Sequence, residues 1–178
     1  MIWNLSVPKT LLIYWGADKL SYMRYLTVKS FIHFNPDWMV ILWLPKFPSV
    51  RRTWESNQLE YEVECADFLD MLKELVPYQM TVDFKQYGLD NTISEVHKSD
   101  YLRLDLLASW GGVWSDMDII YFKPMTSLAV NTPKNKDKDT FVCINKQYGH
   151  SCGFLMSVHH NSFYRKMVDM AKIEFDGK

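Results

Sequence analysis

Short apolar segments alternate with amphipathic segments along this chain of 178 residues. Residues 9–15 and 38–44 are nearly continuous apolar runs that end at Gly16 and Pro45, as is typical of strands buried on both faces of a parallel sheet. Further strands are predicted at residues 80–87, 113–122, 141–144 and 153–158. Helices are predicted at residues 21–34, 67–75, 92–110 and 161–175. This alternation predicts an α/β fold with a mostly parallel central sheet flanked by helices.

The segment 92–110 has the clearest helical pattern in the sequence. Its apolar stripe runs through Leu102, Leu106 and Trp110. Gly111 and Gly112 follow, and we expect them to end the helix in a left-handed backbone conformation. Polar segments at 46–58 and 131–139 predict surface loops. No repeat, low-complexity tract or linker divides the sequence. We therefore expect one domain over residues 1–178, either alone or as part of a longer chain.

Composition and charge exclude several classes of protein. The net charge is −1 without a basic block, which argues against a nucleic-acid-binding surface. Cys65, Cys143 and Cys152 are odd in number and lack the spacing of a metal finger, so we expect reduced thiols. The first residues lack the pattern of a signal peptide, and no apolar run is long enough to cross a bilayer. These features predict a soluble protein of a reducing, cytoplasmic-type compartment.

The candidate chemistry is concentrated in residues 98–120. In an extended chain Asp116 and Asp118 point to one face while Met117 points to the other. Two carboxylates on one face favour a bound Mg²⁺ or Mn²⁺, since these cations take carboxylate and phosphate oxygens as ligands. A nucleotide diphosphate would complete such a ligand shell. The Asp-x-Asp motif alone is short, however, and by itself it is more often a β-turn or strand end with two solvated aspartates.

Asp100 and Arg103 are a second candidate pair. They lie three positions apart on the predicted helix and therefore share a face. A surface ion pair would be the ordinary interpretation. The Gly111–Gly112 turn, however, would bring the following strand back beside this helix, so that Arg103 and Asp100 could bind sugar hydroxyls or a phosphate near Asp116.

Taken together, these segments resemble the glycosyltransferases with a GT-A fold and a DXD sugar-binding region. That family includes yeast initiating α-mannosyltransferases, capsule-synthesis enzymes and the glucosylating domain of large clostridial toxins. Its pattern is Ser/Ala-Asp-x-x-Arg, a helix, Gly-Gly-x-aromatic-x-Asp-x-Asp and an apolar pair. Residues 98–103 and 111–120 match it in order and spacing, and residues 7–16 resemble the opening of the family.

The resemblance implies a single GT-A-like (Rossmann-like) domain and a role for each matched residue. Asp118 would be a direct metal ligand, and Asp116 would contact both the metal, Mn²⁺ or Mg²⁺, and the donor. Asp100 and Arg103 would hold the donor sugar. Either Tyr14 or Trp15 would stack on the base, and because neighbouring side chains of a strand alternate, the other would belong to the core.

The implied reaction transfers a sugar from a UDP- or GDP-sugar to a glycan, glycoprotein or lipid acceptor, with retention of the anomeric configuration. Two alternatives stay open. One is a module that binds nucleotide-sugars or carbohydrates without turnover. The other is an Asp-x-Asp phosphatase, although such enzymes carry the aspartate pair directly after an N-terminal strand and not after a long helix.

Overall fold

The computed structural model describes residues 1–50, 66–145 and 149–176. Six strands occur in these ranges: β1 (Thr10–Tyr14), β2 (Met39–Pro45), β3 (Tyr78–Val82), β4 (Gly112–Ser115), β5 (Thr140–Asn145) and β6 (Gly149–Ser157). The α-helices are α1 (Tyr22–Phe34), α2 (Leu69–Leu75), α3 (Glu95–Ser109) and α4 (Ser162–Asp176). Short 3₁₀ helices lie at Phe84–Tyr87, Met125–Ser127 and Pro133–Asn135.

The strands form one sheet in the order β3-β2-β1-β4-β6-β5. The first four strands of this order run parallel, and β6 pairs antiparallel with both β4 and β5. The predicted α/β class with a mostly parallel sheet is confirmed. The chain order reverses between β1 and β4, which is where ligands bind in open α/β sheets, at the carboxyl ends of the strands.

Apolar side chains of alternating strand positions divide the core into two layers. Leu11 and Ile13 of β1 pack on the face covered by α1 and α2. Leu12 and Tyr14 pack on the opposite face, which α3 and α4 cover. This period of two is the one that a strand buried on both faces requires.

Several predicted elements differ from the observed ones. The segment 80–87 is not one strand, because β3 ends at Val82 and Asp83 caps the 3₁₀ helix that follows, its side chain accepting a hydrogen bond from the backbone N–H of Lys85. The predicted extended segment 113–122 is also too long, since β4 ends at Ser115 and the chain turns at residues 117–118. The predicted loop 46–58 lies partly outside the described residues.

Gly111 and Gly112 join α3 to β4 and are required sterically. Their φ angles are +66° and +105°, which agrees with the predicted left-handed conformation at the end of the helix. A Cβ at Gly111 would lie 2.5 Å from the carbonyl carbon of Val158, and one at Gly112 would lie 2.8 Å from the carbonyl oxygen of Thr10. The pair therefore lets α3 return directly into the centre of the sheet, which sets the position of the residues after β4.

None of the described helices is long and apolar enough to cross a membrane. The thiols of Cys143 and Cys152 are free and exposed. Cys65 lies outside the described residues.

Candidate functional site

The candidate site lies where β4 ends beside the N-terminal half of α3. Asp116 follows β4 directly, and its backbone N–H donates a hydrogen bond of 2.7 Å to the carbonyl oxygen of Gly153 in β6. The Asp116 side chain is one-third exposed. Met117 points into the core and Asp118 is exposed. The prediction that Asp116 and Asp118 share a face assumed an extended chain, whereas the chain turns at residues 117–118.

Arg103 is the centre of the site and is buried, with 6% of its side-chain surface exposed. Its Nη2 atom lies 2.7 Å from Asp100 Oδ1, and its Nη1 atom lies 3.5 Å from Asp116 Oδ1. Nη1 also donates a hydrogen bond of 2.6 Å to the carbonyl oxygen of Cys152. A surface ion pair is therefore the wrong description of Asp100 and Arg103, because the guanidinium is enclosed and links α3 to both β4 and β6.

Trp114 contacts both Asp116 and Arg103. Its buried indole N–H donates a hydrogen bond of 2.9 Å to Asp116 Oδ1. The guanidinium carbon of Arg103 lies 5.3 Å from the centre of the Trp114 ring, within the range of a cation–π contact. Oδ1 of Asp116 thus faces two donors, whereas its Oδ2 accepts no hydrogen bond from any described residue.

The charges around Asp100 have opposing effects on its carboxyl group. Partial burial raises the pKa of Asp100 above its ordinary value, the Arg103 guanidinium lowers it, and the negative charge of Asp116 raises it again. Asp100, Arg103 and Asp116 therefore carry a net negative charge, and Asp118 follows two positions after Asp116 in the chain. This is an environment that attracts a cation.

Tyr14 and Trp15 lie on opposite faces of the sheet, as alternation predicts. Both rings are buried. The Tyr14 hydroxyl donates a hydrogen bond to Glu95 Oε2, and burial followed by the charge of Glu95 raises the pKa of Tyr14. The Trp15 indole N–H donates to the carbonyl oxygen of Lys19 at 3.1 Å, and the guanidinium of Arg24 lies over its ring.

Glu95 and Lys98 form a second polar cluster that the sequence pattern did not single out. Lys98 is fully buried, and its Nζ donates to Glu95 Oε1 at 2.7 Å and to the carbonyl oxygen of Phe47 at 2.8 Å. Glu95 Oε1 also accepts a hydrogen bond from the backbone N–H of Ser49. This cluster ties the first turns of α3 to the chain after β2, beside Tyr14. A Glu–Lys pair three positions apart gives no sign in the sequence of whether it is buried or exposed.

The described residues contain no group of three or more histidine, cysteine or acidic side chains that could hold a metal ion by themselves. The donor set nevertheless suits Mg²⁺ or Mn²⁺, because these ions commonly take one or two carboxylates and complete their shell with substrate phosphates. Asp118 makes no hydrogen bond or ion pair with another described residue, so its carboxylate is available.

Comparison with solved structures places the fold among the GT-A glycosyltransferases. One similar structure is the PaToxG glycosyltransferase, with a TM-score of 0.60 and 17% sequence identity over 96% of this chain and 62% of that one. Another is the UDP-bound glycosyltransferase domain of the YGT toxin, with a TM-score of 0.57 and 11% identity over 97% of this chain and 63% of that one. The chain thus spans about three-fifths of the length of these structures.

The family model described as the glycosyltransferase sugar-binding region containing a DXD motif matches residues 23–136, which is more than half of the chain. The protein therefore belongs to this family. No curated protein matches the sequence.

Proposed function

We propose that this chain transfers a sugar from a nucleotide diphosphate to an acceptor with the help of a divalent metal ion, with retention of the anomeric configuration. The observation that carries the proposal is the buried Arg103, which joins Asp100 of α3 to Asp116 after β4 at the point where the strand order of the sheet reverses. The UDP-bound YGT toxin domain, which has a similar fold, supports a nucleotide-sugar as the donor class.

Each residue of the site has a role in this proposal. Asp116 and Asp118 would hold Mn²⁺ or Mg²⁺, which when bound would offset the charge on the departing diphosphate. Asp100, half exposed, accepts hydrogen bonds from hydroxyls of the donor sugar. Arg103 is enclosed, so it acts by fixing the positions of the Asp100 and Asp116 carboxylates.

The stereochemical part of the proposal is supported by the acidic residues that follow Asp118. An inverting enzyme needs a general base within hydrogen-bond reach of the acceptor hydroxyl. Asp137, Asp139 and Asp169 are exposed and do not pair with Arg103 or Asp116, and the side chains of Glu174 and Asp176 lie outside the described part of the structure. In retention at the front face, an oxygen of the departing phosphate accepts the acceptor's proton, so no separate base is needed. Proton NMR of the first-formed glycoside tests this, since inversion would show the opposite anomeric coupling and indicate His150 as a base to mutate.

The activity itself is tested by incubating the protein with radiolabelled UDP- and GDP-sugars and Mn²⁺, with and without candidate acceptors. We expect release of nucleoside diphosphate. Release of inorganic phosphate would indicate a phosphatase instead, and saturable binding without turnover would indicate a binding module. Either result would contradict the proposal.

A further inference from the structure

Strand β6 contains an irregular segment beside the candidate site. Val142 of β5 pairs with Leu155, whereas the next residue, Cys143, pairs with Ser151. Residues 152–154 therefore have no partner in β5 and form a bulge. The last of them, Phe154, still pairs with Ser115 of β4, so the bulge faces the end of β4.

The bulge contributes two backbone carbonyl oxygens to the site. The oxygen of Cys152 accepts a hydrogen bond of 2.6 Å from Arg103, and that of Gly153 accepts one of 2.7 Å from the backbone N–H of Asp116. A regular strand would direct neighbouring carbonyls to opposite sides. The bulge thus holds both the guanidinium and the first aspartate of the motif.

Gly153 has no backbone reason to be glycine. The described glycines with positive φ are Gly88, Gly111, Gly112 and Gly149, and Gly153 is not among them. A side chain here would crowd Asp116, because a Cβ at position 153 would lie 3.1 Å from Asp116 Oδ2 and 3.6 Å from its Cγ, so that the carboxylate would have to move by a few tenths of an ångström. The carboxylate cannot turn away freely, since its Oδ1 is bound to the indole of Trp114 at 2.9 Å.

We propose that Gly153 is a positioning residue that keeps Asp116 Oδ2 open, and that this oxygen, not Oδ1, is the one Asp116 offers to the metal ion and donor. The inference rests on the proposed function. The two oxygens of Asp116 then have different roles. Oδ1 contacts Trp114 and Arg103 within the protein, whereas Oδ2 faces the ligand. A methyl group at position 153 would cover or displace Oδ2 without straining the backbone of residue 153.

The test is a Mn²⁺ titration of the wild-type protein and of Gly153→Ala. Electron paramagnetic resonance measures the fraction of Mn²⁺ that is bound at each step. Substitutions around a metal-ligating side chain commonly weaken metal affinity by 10–100-fold, so we expect Gly153→Ala, whose methyl group crowds Oδ2, to bind Mn²⁺ about tenfold more weakly. In donor turnover, the apparent Mn²⁺ requirement should rise while kcat at saturating Mn²⁺ stays within about twofold of wild type. Cys143→Ala, a small exposed change on the paired strand, is the matched control and should match wild type.

A double-mutant cycle with Asp116→Ala separates contact from folding. If Asp116 is the reason for glycine, adding Gly153→Ala to Asp116→Ala should cost no further Mn²⁺ affinity or melting temperature. If Gly153→Ala alone fails to fold, the double variant should fold. Equal Mn²⁺ binding by wild type and Gly153→Ala, or loss of folding in both the single and the double variant, would overturn the inference and leave the proposed function standing. Absence of Mn²⁺ and donor binding in the wild type would overturn both.

Discussion

The indole N–H of Trp114 donates a hydrogen bond of 2.9 Å to Oδ1 of Asp116, two positions further along the chain. The Trp114 ring is almost fully buried beneath α3, so this bond anchors an aspartate at the surface to the core. The aromatic position of the Gly-Gly-x-aromatic-x-Asp-x-Asp pattern therefore has a structural task. It holds the first aspartate in place.

Trp114→Phe should keep most of the ring packing and lose this bond. A hydrogen bond to a charged group contributes about 1.5–3 kcal/mol, so we expect kcat/KM for the donor to fall by about tenfold or more. Trp43→Phe is the matched control, because the buried Trp43 Nε1 has no hydrogen-bond partner among the described residues. Steady-state kinetics of the two variants side by side would decide. Equal losses in both would mean that ring volume, not the bond, is what matters.

Arg103→Lys should impair donor use strongly. A single ammonium cannot reach Asp100, Asp116 and the Cys152 carbonyl at once, whereas the planar guanidinium does. We expect kcat/KM to fall by at least about tenfold. Arg165→Lys, a half-exposed arginine paired with Asp105, is the control and should behave as wild type. Kinetics within error of wild type for Arg103→Lys would mean that Arg103 does not position the site for donor use.

Asp118→Ala should abolish metal-dependent turnover while the protein stays folded. Asp118 is exposed and makes no hydrogen bond or ion pair with another described residue, so the melting temperature without metal should change little. Excess chelator should have the same effect on the wild type. Asp70→Asn, an exposed change on α2, serves as the control. Undiminished activity in chelator would contradict the metal-dependent part of the proposal.

Asp67 is expected to make stability depend on pH. Its Oδ1 accepts hydrogen bonds from the backbone N–H groups of Leu20 and Leu69, and these bonds hold its pKa below the ordinary value, with the Leu20 bond as the largest cause. A carboxyl whose pKa is lowered by folding stabilises the folded state above its unfolded pKa, and this contribution is lost as the pH falls through the folded pKa. Asp67→Ala should therefore cost about 1 kcal/mol near pH 7, by analogy with helix caps. The difference from wild type should vanish well below pH 3.8 in urea unfolding.

The sequence was informative about the fold where local rules apply. Apolar runs located β1 and β2, and the glycine pair marked the end of α3, because buried strands and left-handed turns leave strong local patterns. The early end of β4 at Ser115 was not predictable. Met117 and Ile119 continue an alternating pattern, yet the chain turns where the pairing with β6 ends at Ser115.

The candidate site divides in the same way. Side-chain spacing brought Asp100 and Arg103 onto one helix face, and their ion pair is present. The carbonyl oxygens of Cys152 and Gly153 leave no trace in the sequence, because any residue carries a carbonyl and only the bulge directs these two to the site. Glu95 and Lys98 were missed because a buried ion pair looks the same in the sequence as an exposed one at the same spacing.

The most direct test of the central claim measures the melting temperature of the wild-type protein with UDP-glucose and GDP-mannose, each with Mn²⁺ or with excess chelator. A ligand at 100 times its Kd stabilises the folded state by about 2.7 kcal/mol, which corresponds to about 5–10 °C for a chain of this size. We predict such a shift for one donor when Mn²⁺ is present and its loss in chelator. A shift that persists in chelator, or no shift with either nucleotide-sugar, would contradict the account.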